Sequence, residues 1–157
     1  MRKNLLLLGA FIAAFHAPSV LAQAASPVEL KGDVKLDKIV VQNGKEQHIL
    51  SEPKIVVPGD RLIFSTAYHN NGAMVVKNFV VTNPIPEGVT LASDATGLLE
   101  VSVDGGKNWG RLALLTVPDG QGGTRPAQAA DATHVRWTLA SVAAGASGVL
   151  AYNAIVR

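Results

Sequence analysis

From Val34 onward the chain is built of short runs in which apolar and polar side chains alternate, each closed by glycine, proline or asparagine, and no stretch keeps a helical period. Val34 to Val41 alternates apolar with charged residues until its end, which predicts a strand with one dry and one wet face. Asn43-Gly44 marks a turn. Ile55-Val56-Val57 is a short apolar run closed by Pro58-Gly59-Asp60, after which Leu62, Phe64, Thr66 and Tyr68 fall on one face of a strand ending at Asn70-Asn71-Gly72. Val75 to Thr82 resumes the pattern.

Asn83-Pro84-Ile85-Pro86-Glu87-Gly88 is predicted to leave the sheet and cross to another, because a proline offers no ladder donor and restricts the residue before it. Val89 to Leu91 follows, then Leu98 to Val103, a tight Asp104-Gly105-Gly106 turn and a return strand from Trp109 to Val117. Pro118 to Asp131, rich in Gly, Pro, Ala and Gln, reads as a long loop, and such loops are functional or mobile. His134 to Leu139 and Gly148 to Val156 complete the set. Seven to nine antiparallel strands in one domain, without βα alternation, predict an all-β sandwich. A closed barrel is the alternative, and the prolines favour the sandwich because they suit edges and crossovers.

The first 24 residues follow a different rule. Arg2 and Lys3 precede an apolar run from Leu5 to Val20, and small residues at Ala22 and Ala24 close it, which is the layout of a secretory signal peptide. Both Val20-Leu21-Ala22 and Ala22-Gln23-Ala24 satisfy the small-x-small rule for cleavage. The competing reading is an uncleaved anchor, but Pro18 shortens the helix below the roughly 20 residues a span needs. The predicted organisation is a signal peptide over 1–24, a short polar lead over 25–33 and the β-domain over 34–157.

Cleavage after Ala24 changes the charge. The whole chain of 157 residues has 14 basic and 12 acidic side chains. Losing Arg2 and Lys3 with no acid leaves a balanced chain without a basic cluster, so nucleic-acid binding loses its main support. At 48% hydrophobic and 17% charged the chain is too apolar to be disordered. With no cysteine there is no lipid-modified Cys and no disulfide, and no second apolar span follows. An exported protein, periplasmic or secreted, is the expectation.

The runs Pro58-Gly59-Asp60, His69-Asn70-Asn71-Gly72 and Val80-Val81-Thr82-Asn83-Pro84-Ile85-Pro86-Glu87-Gly88 together resemble a conserved-repeat domain of unknown function found in bacterial and archaeal surface and secreted proteins. The resemblance extends loosely over Val34 to Val156 and implies an immunoglobulin-like sandwich. This chain differs in having Asn83 where that family commonly has Asp, and in carrying one copy where tandem copies are common. A single copy argues against a long stalk.

Ser102-Val103-Asp104-Gly105-Gly106-Lys107-Asn108-Trp109 looks like the Asp-box of sialidase propellers, and Ser102, Asp104, Gly106 and Trp109 read as a structural turn because a propeller needs far more chain. His48, His69 and His134 stand in no metal-ligand spacing, and no Gly-x-Ser-x-Gly elbow marks a nucleophile, so neither metal, cofactor nor catalytic residues are assigned. Immunoglobulin-like surface domains suggest one more idea, a lysine–asparagine crosslink between first and last strands, for which Lys38 and Asn153 are the pair. It requires a neutral lysine beside a buried acid. The role expected is non-catalytic: structural support or binding of an envelope protein through an edge strand or the 118–131 loop. A polysaccharide-binding module is the alternative.

Overall fold

The computed structural model describes residues 26–94 and 99–157; the expected signal peptide lies outside the described residues. Ten strands run in the order β1 (Val28–Gln42), β2 (Lys45–Ser51), β3 (Arg61–Asn70), β4 (Val76–Pro84), β5 (Val89–Leu91), β6 (Leu99–Ser102), β7 (Thr116–Pro118), β8 (Thr124–Pro126), β9 (His134–Val142) and β10 (Ser147–Val156). The only helical pieces among the described residues are single 3-10 turns at Leu112–Leu114 and Ala129–Asp131. All pairings are antiparallel. One sheet has the order β2-β1-β3-β10-β5, a second the order β4-β9-β6, and β7 and β8 form a small ribbon. The eight strands of the two larger sheets make the predicted all-β sandwich.

Alternation decides which side chains meet between the sheets. Leu62 and Thr66 of β3, Tyr152 and Ala154 of β10, Val81 of β4, and Val135 and Trp137 of β9 are buried. Phe64 stacks on Tyr152 with ring centroids 5.1 Å apart, and Trp137 meets the same tyrosine at 6.2 Å. Burying each large apolar side chain contributes about 1.5–3 kcal/mol relative to exposure. Burial also pushes the Tyr152 hydroxyl up to about 12.

The turns follow their local chemistry. Asn43 and Gly44 both take positive φ, 52° and 74°, the backbone a two-residue hairpin needs, and they join β1 to β2. Ile85 to Gly88 carries the chain from the three-stranded sheet at β4 to the five-stranded sheet at β5. That is the predicted crossing, but it starts later than predicted. Asn83 and Pro84 stay in the ladder opposite Val135 and His134. They can do so because β4 is an edge strand, where a missing N–H on the open side breaks nothing.

Other expectations are corrected. The stretch read as a polar lead over 25–33 is mostly strand: β1 begins at Val28 and pairs with β3 through Glu29, Leu30 and Lys31. Glycine and charged residues hid this, since Gly32 and the outward-facing Glu29 and Lys31 interrupt the apolar pattern. Ile55-Val56-Val57 is not a strand but exposed chain. The return from Trp109 makes one bridge, Val101 with Gly110, before the 3-10 turn. The predicted long loop over 118–131 is also structured. β7 and β8 pair within it, Asp119 Oδ1 accepts from the N–H groups of Gln121 and Gly123 at 2.8 and 2.9 Å, and Arg125 grips Asp131 with two bonds of 2.7 Å. Its polar composition serves these local bonds, so length alone no longer marks it as the contact surface.

Candidate interaction surface

Five strands face three, so part of the larger sheet is left over. Asn83 Nδ2 of β4 donates to Thr66 Oγ1 of β3 at 2.8 Å, and Trp137 of β9 packs on Tyr152 of β10, which sets β4 over β3 and β9 over β10. β2 and part of β1 therefore overhang the smaller sheet, although Leu36 of β1 still reaches the core. Beneath the overhang runs a cleft of about 580 Å³ lined by Leu30, Val34, Phe64, Thr66, Asn83 and Tyr152. Leu30 is 46% exposed there although it points to the inner side.

Two free backbone edges border this flank. Among the described residues β4 has a neighbour on one side only, and β2 is the outermost strand of its sheet. Beyond Ser51, where β2 ends opposite Leu36, the N-terminal half of β1 lacks a partner on the β2 side among the described residues. Unpaired N–H and C=O groups in a row are a template for another strand. Every residue of β2 is exposed.

The far end of β1 and β2 projects as a two-stranded ribbon past Asp37, the last β1 residue paired with β3. Ile39, Val41 and Leu50 share one of its faces and are solvent-exposed, Val41 at 69%. An isolated two-stranded ribbon is marginal in water, and this one is held at its base by charge. Asp37 is buried, its carboxylate oxygens each 2.9 Å from His48 Nδ1, with Arg61 Nε 3.2 Å away but off the line of a hydrogen bond. Arg61 also donates to Asp94, whose carboxylate accepts from Asn153 Nδ2 at 3.2 Å. The bond to Arg61 holds the Asp94 carboxyl below its usual range and raises the guanidinium in turn. This chain of groups ties β2, β1, β3, the segment after β5, and β10 together across the outer face.

The same arrangement places the proposed crosslinking pair apart. Asn153 stands opposite Ile63, which stands opposite Lys35, so the first-strand lysine on its row is Lys35. Lys38 is three residues further along β1, on the ribbon, exposed, and by alternation on the other face. The Asn153 amide is engaged by Asp94. Nothing in this geometry brings the lysine amine to that amide.

The Asp-box-like turn is a closed set of local bonds. Ser102, fully buried, donates to Asp104 Oδ1 at 2.8 Å and accepts from the Gly106 N–H at 2.9 Å. Asp104 accepts from the N–H groups of Lys107 and Asn108 at 3.1 and 2.9 Å and from Asn108 Nδ2 at 2.6 Å. These donors hold its carboxyl far below the usual range. Trp109 Nε1 donates to the Gly106 carbonyl at 2.9 Å, while the Arg136 guanidinium lies 4.4 Å over the indole ring and Glu100 pairs with that arginine. One face of Trp109 is thus occupied, and Trp137 is in the core.

The histidines have separate partners. His48 meets Asp37, His134 Nδ1 lies 3.0 Å from Thr133 Oγ1, and His69 Nδ1 lies 2.6 Å from Ser147 Oγ. The last contact joins residues 78 positions apart and was not visible in the sequence, where no motif links them. Only the β3–β10 register reveals it. Among the described residues no three His, Asp or Glu side chains gather closely enough to hold a metal ion. No helix among them is long and apolar enough to cross a membrane. No family model, curated protein or solved structure matches this chain.

Proposed function

We propose that this protein is an exported domain of the cell envelope or its surroundings that acts by binding a partner protein, which adds an extended segment to the overhanging flank of the sandwich. The observation that carries this reading is the mismatch of five strands against three. It leaves β2 exposed along its whole length and a cleft floored by Leu30, Val34 and Phe64 beside the free edge of β4. An added strand would gain backbone hydrogen bonds at the edge and apolar contacts in the cleft, and alternate side chains would supply specificity. The signal-peptide layout of residues 1–24 supports export. The Asp-box-like turn and the 118–131 hairpin are consumed by their own bonds and serve the fold.

The test is site-directed photo-crosslinking in envelopes of the source cell. Crosslinkers are placed singly at Leu30, at Ile49 and, as a control in the turn after β6, the edge of the smaller sheet away from β4, at Lys107. One partner captured from Leu30 and Ile49 but not from Lys107, together with slowed amide exchange across β2 or β4 in the complex, supports strand addition. Equal capture from all three positions, or unchanged exchange at both edges, overturns it. Recovery of glycan without protein transfers the role to polysaccharide binding.

A further inference from the structure

The outer face of the five-stranded sheet carries a second groove, of about 430 Å³, on the opposite side from the cleft. Ser147 of β10, His69 of β3 and Glu29 of β1 stand directly opposite one another in adjacent strands and form one of its walls. Ser147 Oγ and His69 Nδ1 are 2.6 Å apart. Glu29 is steadied on the other side of the ring by Asn71 Nδ2, which donates to Glu29 Oε2 at 3.1 Å. Ala67 and Val149, also opposite each other, give the groove an apolar floor.

The backbone adds a fourth element. The Asn70 N–H donates to the Ala146 carbonyl at 2.9 Å, which makes Ser147 and His69 a non-hydrogen-bonded pair of the ladder. Such pairs bring side chains closest and turn their own N–H and C=O groups away from each other. The Ser147 N–H therefore points to the side of β10 where β5 reaches only Ala154 to Val156. Among the described residues it is a backbone donor without a strand partner, adjacent to the hydroxyl.

We propose that Ser147 is a nucleophile and His69 its general base, for acyl transfer from esters with a short apolar acyl group. The serine O–H donates to His69 Nδ1, the ring carrying its own proton on Nε2. In the first step Ser147 Oγ bonds to the acyl carbonyl carbon while its proton passes to Nδ1. Collapse of the tetrahedral species breaks the bond to the leaving alcohol, which takes that proton from His69. Water, deprotonated by the same nitrogen, then adds to the acyl-serine carbonyl, and collapse breaks the bond to Ser147 Oγ, which takes the proton back from His69 as the carboxylic acid leaves. Glu29 is a positioning residue that offsets the charge developing on the imidazole, and the Ser147 N–H is the donor beside the oxyanion. Ala67 and Val149 receive the acyl chain. This activity is independent of strand addition, since it uses the other face of the sheet.

The experiment treats the purified protein with a fluorophosphonate probe and, separately, with p-nitrophenyl butyrate. The expected result is one phosphonyl adduct, with fluoride lost, on the peptide containing Ser147. It is absent in Ser147→Ala, slowed at least about 100-fold in His69→Gln, and unchanged in Ser65→Ala, an outward serine two places before Ala67. Ester cleavage follows the same order. Labelling of Ser147 no faster in the native protein than in urea, or equal rates in His69→Gln, overturns the proposal. The comparison of native with unfolded wild type reads the activation even if a variant folds poorly.

Discussion

Asn70 and Val142, 72 positions apart, are joined by a buried hydrogen bond of 3.0 Å in which the asparagine side-chain amide donates to the valine carbonyl. The same Nδ2 lies 2.9 Å from the Met74 carbonyl and 3.1 Å from that of Ala143, and Oδ1 accepts from the Gly72 N–H at 3.0 Å. One fully buried side chain thus closes the β3–β4 turn and the end of β9 at once. The Asn-x-Gly motif is a pin between the two sheets.

Replacing Asn70 by Ala leaves these backbone groups without partners away from water. The expected loss is about 2–3 kcal/mol, from a penalty of about 1–3 kcal/mol per orphaned group partly relieved by water entry. Urea unfolding reads it, and a loss under about 0.5 kcal/mol, the scale of an ordinary surface change, would show that the pin is dispensable. Asn70→Asp should cost at least as much, because a carboxylate would face three carbonyl oxygens.

Gly148 lies under Tyr68, and a Cβ built on it would clash with the tyrosine hydroxyl oxygen and with two carbons of the ring. Gly148→Ala should therefore swing Tyr68 off β10 and lower stability. Adding Tyr68→Ala should make the alanine at 148 nearly neutral, a coupling that a double-mutant cycle measures directly. Additive losses would mean that the ring and the glycine are independent.

Acid should loosen the 118–131 hairpin. The Asp131 carboxyl is held at about 2 by the Arg125 guanidinium and the Gln128 N–H, against 3.8 for the free group. A folded value below the unfolded one contributes stability that is present above about pH 4 and lost as the pH falls toward about 2. Asp131→Asn should be less stable near neutral pH and lose less on acidification over that window. Thermal unfolding at several pH values checks both parts, and parallel curves for the two proteins would refute the assignment.

The Asp-box-like turn is predicted to be structural. Ser102→Ala removes the acceptor for the Gly106 N–H and should cost about 1–2 kcal/mol, while partner capture through Leu30 or Ile49 stays unchanged. A loss of capture at unchanged stability would instead make this turn part of the binding surface.

The sequence alone was enough for the fold class, most strand positions, the Asn43-Gly44 turn and the Asp-box-like bonds. Each of these depends on residues within about ten positions of one another: alternation sets the faces, and short polar side chains reach only nearby backbone. It misjudged the start of β1, where Gly32 and charged outward positions break the apolar rhythm, and the 118–131 segment, whose bonds join polar residues that carry no periodicity. Which strands are edges, that five oppose three, that Asp37 is buried between His48 and Arg61, and that Ser147 meets His69 were decided only in the tertiary structure. Those relations follow from strand order and register between segments up to 78 residues apart. No local preference encodes them, because a single-residue slip in pairing would exchange every inward side chain for an outward one.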